Sequence, residues 1–166
     1  AVAAARQGAS VSFVGAVGDD AYAGPAMKLL EASGIDLSHV EHLNSTTTGL
    51  AVIEVAADGE NTIVVVPGAN ARVDAKFVQQ HARAMDKADL VLLQGEIPAA
   101  GFQKAVELAR AVGARVVVNL APVVDVDKQA LLQADPLVVN EHEAGLMLKQ
   151  LGAQTPSDEP EVLVEC

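Results

Sequence analysis

Asn140 and Glu143 stand three residues apart in "PLVVNEHEAGLML", Pro136 to Leu148, where an apolar run stops and a charged, helix-periodic segment begins. Two kinds of chemistry want that pair. As a helix cap, the Asn140 side-chain oxygen takes a backbone N–H of the first turn while the Glu143 carboxylate reaches back to the cap residue; this is a capping box with Asn in place of Ser or Thr. As a ligand site, the carboxyl end of a parallel strand opening onto a helix N-terminus is where open α/β sheets hold phosphates. A carboxylate there can orient a hydrated magnesium ion, which keeps its waters and needs one or two protein oxygens. The cap is the commoner use of such residues.

Glu96, in "LLQGEIP", sits in the same kind of place, after an apolar run and before Pro98 at a helix start. An acid in a first turn complements the helix dipole. It can also accept hydrogen bonds from a polyol. Asn119 in "NLAP" and Asn70 in "PGAN" share the setting, although Asn and Gly are ordinary turn residues. Asp19 and Asp20, after the glycines of "VGAVGDD", fit the cap of the next helix better than a metal site. The chain has no G-x-x-x-x-G-K-[ST] and no G-x-G-x-x-G, which leaves P-loop and dinucleotide-binding chemistry without support. His142 begins no H-E-x-x-H, because position 146 is Leu. His39, His42 and His81 are isolated and read as surface or turn residues.

The elements that must position these residues alternate. Strands are expected at Ser12 to Val17, Ala51 to Val55, Thr62 to Val66, Leu90 to Leu93, Arg115 to Leu120 and Leu137 to Val139, all rich in Val, Ile and Leu. Helical patterns lie between them. "GPAMKLLEASG" groups Ala26, Met27 and Leu30 with Gly34 as the stop; "PAAGFQKAVELARAVGA" groups Phe102, Val106 and Ala109; "EAGLMLKQLGA" groups Ala144, Met147 and Leu151. Near-continuous apolar strands alternating with amphipathic helices predict an α/β fold with a mostly parallel sheet covered on both faces. The exception is "TGLAVIEVAADGENTIVVV", two strands around a tight Asp58-Gly59-Glu60 turn, which predicts an antiparallel hairpin with one wet face. Such a hairpin serves as a lid, a dimer contact or an edge ornament. "QTPSDEPE", Gln154 to Glu161, reads as a surface loop or loose acidic tail within 153–166.

Composition narrows the partners. Eleven basic residues against twenty-two acidic ones give a net charge of −11, which repels polyanions, and aromatics at 2% leave no stacking platform, so nucleic acid is excluded as an expected partner. No apolar run is long enough to cross a bilayer, so no membrane partner is expected. The single cysteine, Cys166, permits no internal disulfide and fits a reducing compartment, with cytoplasm as the default. With 51% hydrophobic residues in 166, one domain is the starting expectation, and length alone leaves two small ones open. Ala1 to Arg6 reads as helix interior without a cap.

The order and spacing of "AVAAARQGASVSFVGAVGDDAYAG", "TTTGLAVIEV", "GENTIVVVPGAN", "LLQGEIP", "VVVNLAP" and "VVNEHEAGLM" resemble the ribokinase-like (PfkB) family of sugar kinases over residues 1 to about 151. The resemblance implies a three-layer α/β/α fold with a β-hairpin lid, here at 47–67. It implies ATP-dependent phosphoryl transfer to a primary hydroxyl of a sugar, with Mg2+ and often a monovalent cation such as K+. It places Glu96 on the sugar, Asn140 facing the ATP phosphates and Glu143 on the magnesium hydration shell. It also implies a homodimer through the lid or an exposed sheet edge.

The family's G-G-x-G-x-N sugar-binding stretch would lie immediately before Ala1, and its G-A-G-D motif, carrying the base, well after Cys166. The fold is therefore expected to be incomplete, with no catalytic base among residues 1–166 and no activity from this chain alone. Ribose, nucleoside, fructose-phosphate and ketodeoxygluconate kinases stay open within the family. A non-catalytic interaction module of the same fold is the reading from another class.

Overall fold

The computed structural model describes residues 1–152. They divide after Val73 into two compact units. In the first, helix α1 (Val2–Arg6) precedes strand β1 (Ser12–Gly18), helix α2 (Ala23–Ala32) and strand β2 (Asp36–Leu43). β1 and β2 pair in parallel, and α2 is the crossover between them. The core of this pair is Val17, Ala23 and Met27, flanked by Leu30, Leu37 and Val40. Ala23 therefore replaces Ala26, which is exposed, on the buried face of α2. Gly34 stops α2 as expected: it takes φ 68°, its N–H bonds to Glu31 and the next N–H, of Ile35, reaches Leu30.

β2 is a strand that hydrophobic patterning does not find. "DLSHVEHL" is half polar because β2 pairs with β1 alone among the described residues and shows its other positions to solvent. After it come β3 (Leu50–Val55) and β4 (Asn61–Val66), antiparallel, with Ile53 opposite Ile63 and Glu54 opposite Thr62. The predicted turn is present, with Gly59 at φ 91° and the Ala56 N–H bonded to the Glu60 carbonyl. The predicted single wet face is not. Every residue from 51 to 66 is exposed, so within its unit the hairpin projects with both faces bare. A short 3-10 helix, Gly68–Arg72, follows.

The second unit begins with helix α3 (Ala75–Gln80), capped by Asp74, whose carboxylate accepts the Phe77 N–H at 2.9 Å. A 3-10 turn, Ala82–Met85, leads to strand β5 (Leu90–Gln94), helix α4 (Ala99–Ala111), strand β6 (Arg115–Asn119), helix α5 (Lys128–Leu131), strand β7 (Ala134–Val138) and helix α6 (Glu141–Gln150). The sheet order is β5-β6-β7, all parallel. α4 packs on β5 and β6 and α3 on α4. Phe102, Val118 and Leu120 are fully buried there. Each such burial stabilises by roughly 1.5–3 kcal/mol.

The other face of this sheet differs from expectation. Leu90, Leu92 and Val138 are 48%, 56% and 48% exposed, so among the described residues only one face is covered. β7 starts three residues before the apolar run at Leu137 and takes in Pro136. Proline is tolerated there because among the described residues β7 pairs on one side only, and its register with β6 shifts between Val116 and Val118. On α6 the buried positions are Gly145 and Leu148, one residue beyond the expected Ala144 and Met147. The acidic segment 153–166 lies outside the described residues.

Candidate functional site

Three parallel strands put their carboxyl ends on one rim. Gln94 ends β5 opposite Asn119, and Asn119 ends β6 opposite Val138 of β7. Glu96 follows β5 by two residues and Asn140 follows β7 by two, so both leave the same edge of one sheet with Asn119 between them. Two strand spacings of ~4.8 Å separate the outer strands, a gap of about 10 Å. This is the carboxyl edge at which open α/β sheets bind ligands.

The loops on the rim are held tightly. Gly95 is buried, and a Cβ there would run into the Pro122 carbonyl, so the chain after β5 passes against the chain after β6 with no room for a side chain. That contact leaves Glu96 exposed beside the start of α4. The Leu120 N–H bonds to the Val138 carbonyl at 3.1 Å, extending the β6–β7 pairing toward Asn140.

At Asn140 the cap is complete. The Glu143 N–H donates to the Asn140 side-chain oxygen at 2.8 Å, and the Asn140 N–H donates to Glu143 Oε2 at 2.9 Å. The backbone at Asn140 is extended and helical immediately after. Glu141 and Glu143 add negative charge to the first turn, which the helix dipole favours. The box engages Oε2 of Glu143 alone; among the described residues Oε1 accepts no hydrogen bond, and the Asn140 amide nitrogen donates none. The cap therefore leaves one carboxylate oxygen and one amide group able to meet a ligand.

A hydrated magnesium ion fits such a donor set, because it needs few protein oxygens. Among the described residues no three acidic, histidine or cysteine side chains gather closely enough to hold a bare metal ion. Asn70, also singled out by sequence, lies in the first unit in the 3-10 helix, where its side chain would be met by a Cβ added at Gly49.

The first unit contains a cluster that sequence patterning does not reach. Asp20 accepts the Tyr22 and Ala23 N–H groups at 3.1 and 3.2 Å, which serves the start of α2 as expected. Its carboxylate also accepts the Thr48 N–H at 2.7 Å and the Thr48 hydroxyl at 2.8 Å. Thr48 is the buried polar side chain of the described residues, 6% exposed. The Thr48 backbone N–H, then its hydroxyl, hold the Asp20 carboxyl below its ordinary value of 3.8, with desolvation opposing. A separation of 28 residues carries no local signal.

Comparison with known proteins places these features in a family. The pfkB family carbohydrate kinase profile matches residues 1–166. This chain belongs to the pfkB carbohydrate kinase family. The ribokinase of Bacillus subtilis is 36% identical over 151 residues, 91% of this chain and 51% of the relative. The ribokinase of Haemophilus influenzae is 35% identical over 147 residues, 89% of this chain and 48% of the relative. The chain thus spans about half the length of the curated relatives it matches.

Solved pfkB relatives agree in fold. The Thermotoga maritima ribokinase superposes with a TM-score of 0.77 at 27% identity, covering 99% of this chain and 52% of that one. The Arabidopsis thaliana ribokinase, solved with ribose and ATP, gives 0.79 at 26%, covering 99% and 53%. The fold is the α/β fold of ribokinases. Among the described residues no helix is long and apolar enough to cross a membrane.

Proposed function

We propose that this chain supplies the rim of an ATP-dependent sugar kinase that phosphorylates a primary hydroxyl of ribose or a related sugar. In this reading Glu96 contacts the sugar, Asn140 faces the ATP phosphates, and Glu143 holds the magnesium hydration shell through Oε1 while Oε2 stays in the cap. Mg2+ bound there would neutralise phosphate charge. A monovalent cation such as K+ is the further cofactor of this reading, and the compartment is the cytoplasm.

The observation that carries the proposal is the placement of Glu96 and Asn140 on one carboxyl edge of a parallel sheet, in a pfkB family chain. Phosphoryl transfer depends on positioning and electrostatic stabilisation, and such an edge positions groups from two strands at once. In this reading the aspartate that deprotonates the acceptor hydroxyl has no counterpart among residues 1–166, and the expected outcome is that they form no sugar phosphate when tested alone.

The test is a titration of the chain followed by amide resonances. Ribose should shift residues 94–97 and ATP with Mg2+ residues 140–144. Shifts confined to other regions, or none at saturating ligand, overturn the assignment. Sugar phosphate formed above background by the chain alone overturns the inactivity.

A second reading is favoured by the hairpin of 47–67. Val52, Ile53, Val55 and Ile63 to Val66 are 44–70% exposed, an apolar surface that a second copy would cover. Among the described residues the outer strands of the second unit's sheet pair on one side only, which offers another pairing surface. A homodimer through either is part of the kinase reading, and an interaction module without catalysis is the alternative. Sedimentation separates them from a monomer, and Val52→Lys should dissociate a dimer built on the hairpin.

A further inference from the structure

The hairpin has no support along its length within its unit, so whatever fixes its direction acts at its root. The root is a short segment, Thr46 to Leu50, and almost every bond it makes runs to the end of β1 or to the chain leaving β4. The Asp19 N–H donates to the Thr46 carbonyl at 3.0 Å. The Gly18 N–H donates to the Thr48 hydroxyl at 3.0 Å, and that hydroxyl passes its own hydrogen to Asp20 at 2.8 Å. The Ala69 N–H, just past β4, donates to the Thr47 carbonyl at 2.8 Å. Both legs of the hairpin are thus tied to one point. The approach is close enough that a Cβ on Gly18 would meet the Thr46, Thr47 and Thr48 backbone.

Among the side chains that bond within that knot, Asp20 is the charged one. Asp20 binds Thr48 through both carboxylate oxygens while the same group receives the first N–H groups of α2. We propose that Asp20 is a positioning residue that pins the hairpin to the β1–α2 junction, with Thr48 as the pinned residue. The hairpin then moves as a rigid arm about that pin. Charge-assisted bonds are stronger and more directional than neutral ones, which suits a pivot that must hold an unsupported arm. The proposal deepens the kinase reading in one respect, because there the hairpin is the lid; the geometry itself needs no ligand.

The test uses the 166-residue chain without ligand, so its failure leaves the rim assignments of Glu96 and Asn140 standing. Amide exchange at Gly18, Thr48 and Ala69 and backbone order parameters across 51–66 are measured for the parent, Asp20→Ala, Thr48→Val and Thr48→Ser. Asp20→Ala is expected to raise exchange at Thr48 by about tenfold or more and to lower order parameters over 51–66 as a block, with the β3–β4 cross-strand bonds intact. Thr48→Val keeps the backbone N–H bond to Asp20 and the carboxylate's bonds to α2 but loses both bonds of the hydroxyl, so it should lower the order parameters over 51–66 in the same sense by a smaller amount, and Thr48→Ser, which keeps the hydroxyl, should restore the parent values. Unchanged order parameters in a folded Asp20→Ala chain overturn the proposal, as does loosening spread equally over β1 and β2. Should Asp20→Ala unfold the first unit, the threonine pair decides: Thr48→Val indistinguishable from Thr48→Ser overturns it.

Discussion

Replacing Asn140 by Ala separates the structural half of the Asn140–Glu143 pair from its proposed ligand half. The substitution removes the acceptor of the Glu143 N–H and leaves the reciprocal bond from residue 140 to Glu143 Oε2 in place. Loss of an Asn cap costs about 1 kcal/mol. α6 buries only Gly145 and Leu148, so it is held largely by its own bonds and its local opening should report the cap directly. A cost of about 1 kcal/mol against an RT of ~0.59 multiplies the open fraction by about fivefold. Native-state amide exchange at residues 145–150 should accelerate by that factor, with α4 unchanged as the internal reference. Asn140→Ser restores a competent cap and should return exchange to the parent rate. It does not restore the amide, so ATP binding in the presence of Mg2+ should stay weakened in Asn140→Ser. Exchange in Asn140→Ala within twofold of the parent would refute the cap energetics. Full ATP affinity in Asn140→Ser would refute the phosphate role.

Phe102→Ala empties a fully buried position between α4 and the sheet and should destabilise the second unit by roughly 3–5 kcal/mol in urea denaturation; a loss below about 1 kcal/mol contradicts the packing. Gly95→Ala drives a methyl into the Pro122 carbonyl and should cost about 1–3 kcal/mol, while shifting the Glu96 amide resonance; an unshifted resonance contradicts the loop contact. Asp20 is held below its ordinary pKa of 3.8, so its contribution to the first unit is complete above that value and is lost as pH falls through the lower folded value. Acid unfolding of the first unit should therefore begin at higher pH in Asp20→Asn, and an identical acid transition contradicts the Thr48 bonds.

The sequence was most legible where one local rule decides. The capping box needs only Asn140, Glu143 and a helix after them, and the structure contains both of its bonds. β5 and β6 are short Val and Leu runs bounded by turns, and their ends fall within a residue of the expected positions. β2 escaped because a strand paired on one side keeps polar residues, so Ser38, His39 and Glu41 hide its period. α5, four residues long, is too short to show a helical period. The bare second face of the hairpin is a tertiary fact, since alternation along β3 says which residues share a face and nothing of what covers it. The Asp20–Thr48 pin is of the same kind, joining residues whose neighbours in sequence do not foretell their meeting. The rim was legible through chain order: strands separated by helical crossovers run parallel, and their ends then share an edge.

The account rests on Glu96, Asn140 and Glu143 being working parts of a sugar kinase rim. The most direct measurement is ribose-dependent ADP release by a Bacillus subtilis ribokinase in which residues 1–152 of this chain replace the matching stretch. The account predicts turnover, a raised KM for ribose in Glu96→Ala, and a shifted Mg2+ requirement in Glu143→Gln. A chimaera that melts cooperatively yet releases no ADP, or one indifferent to Glu96→Ala, contradicts it.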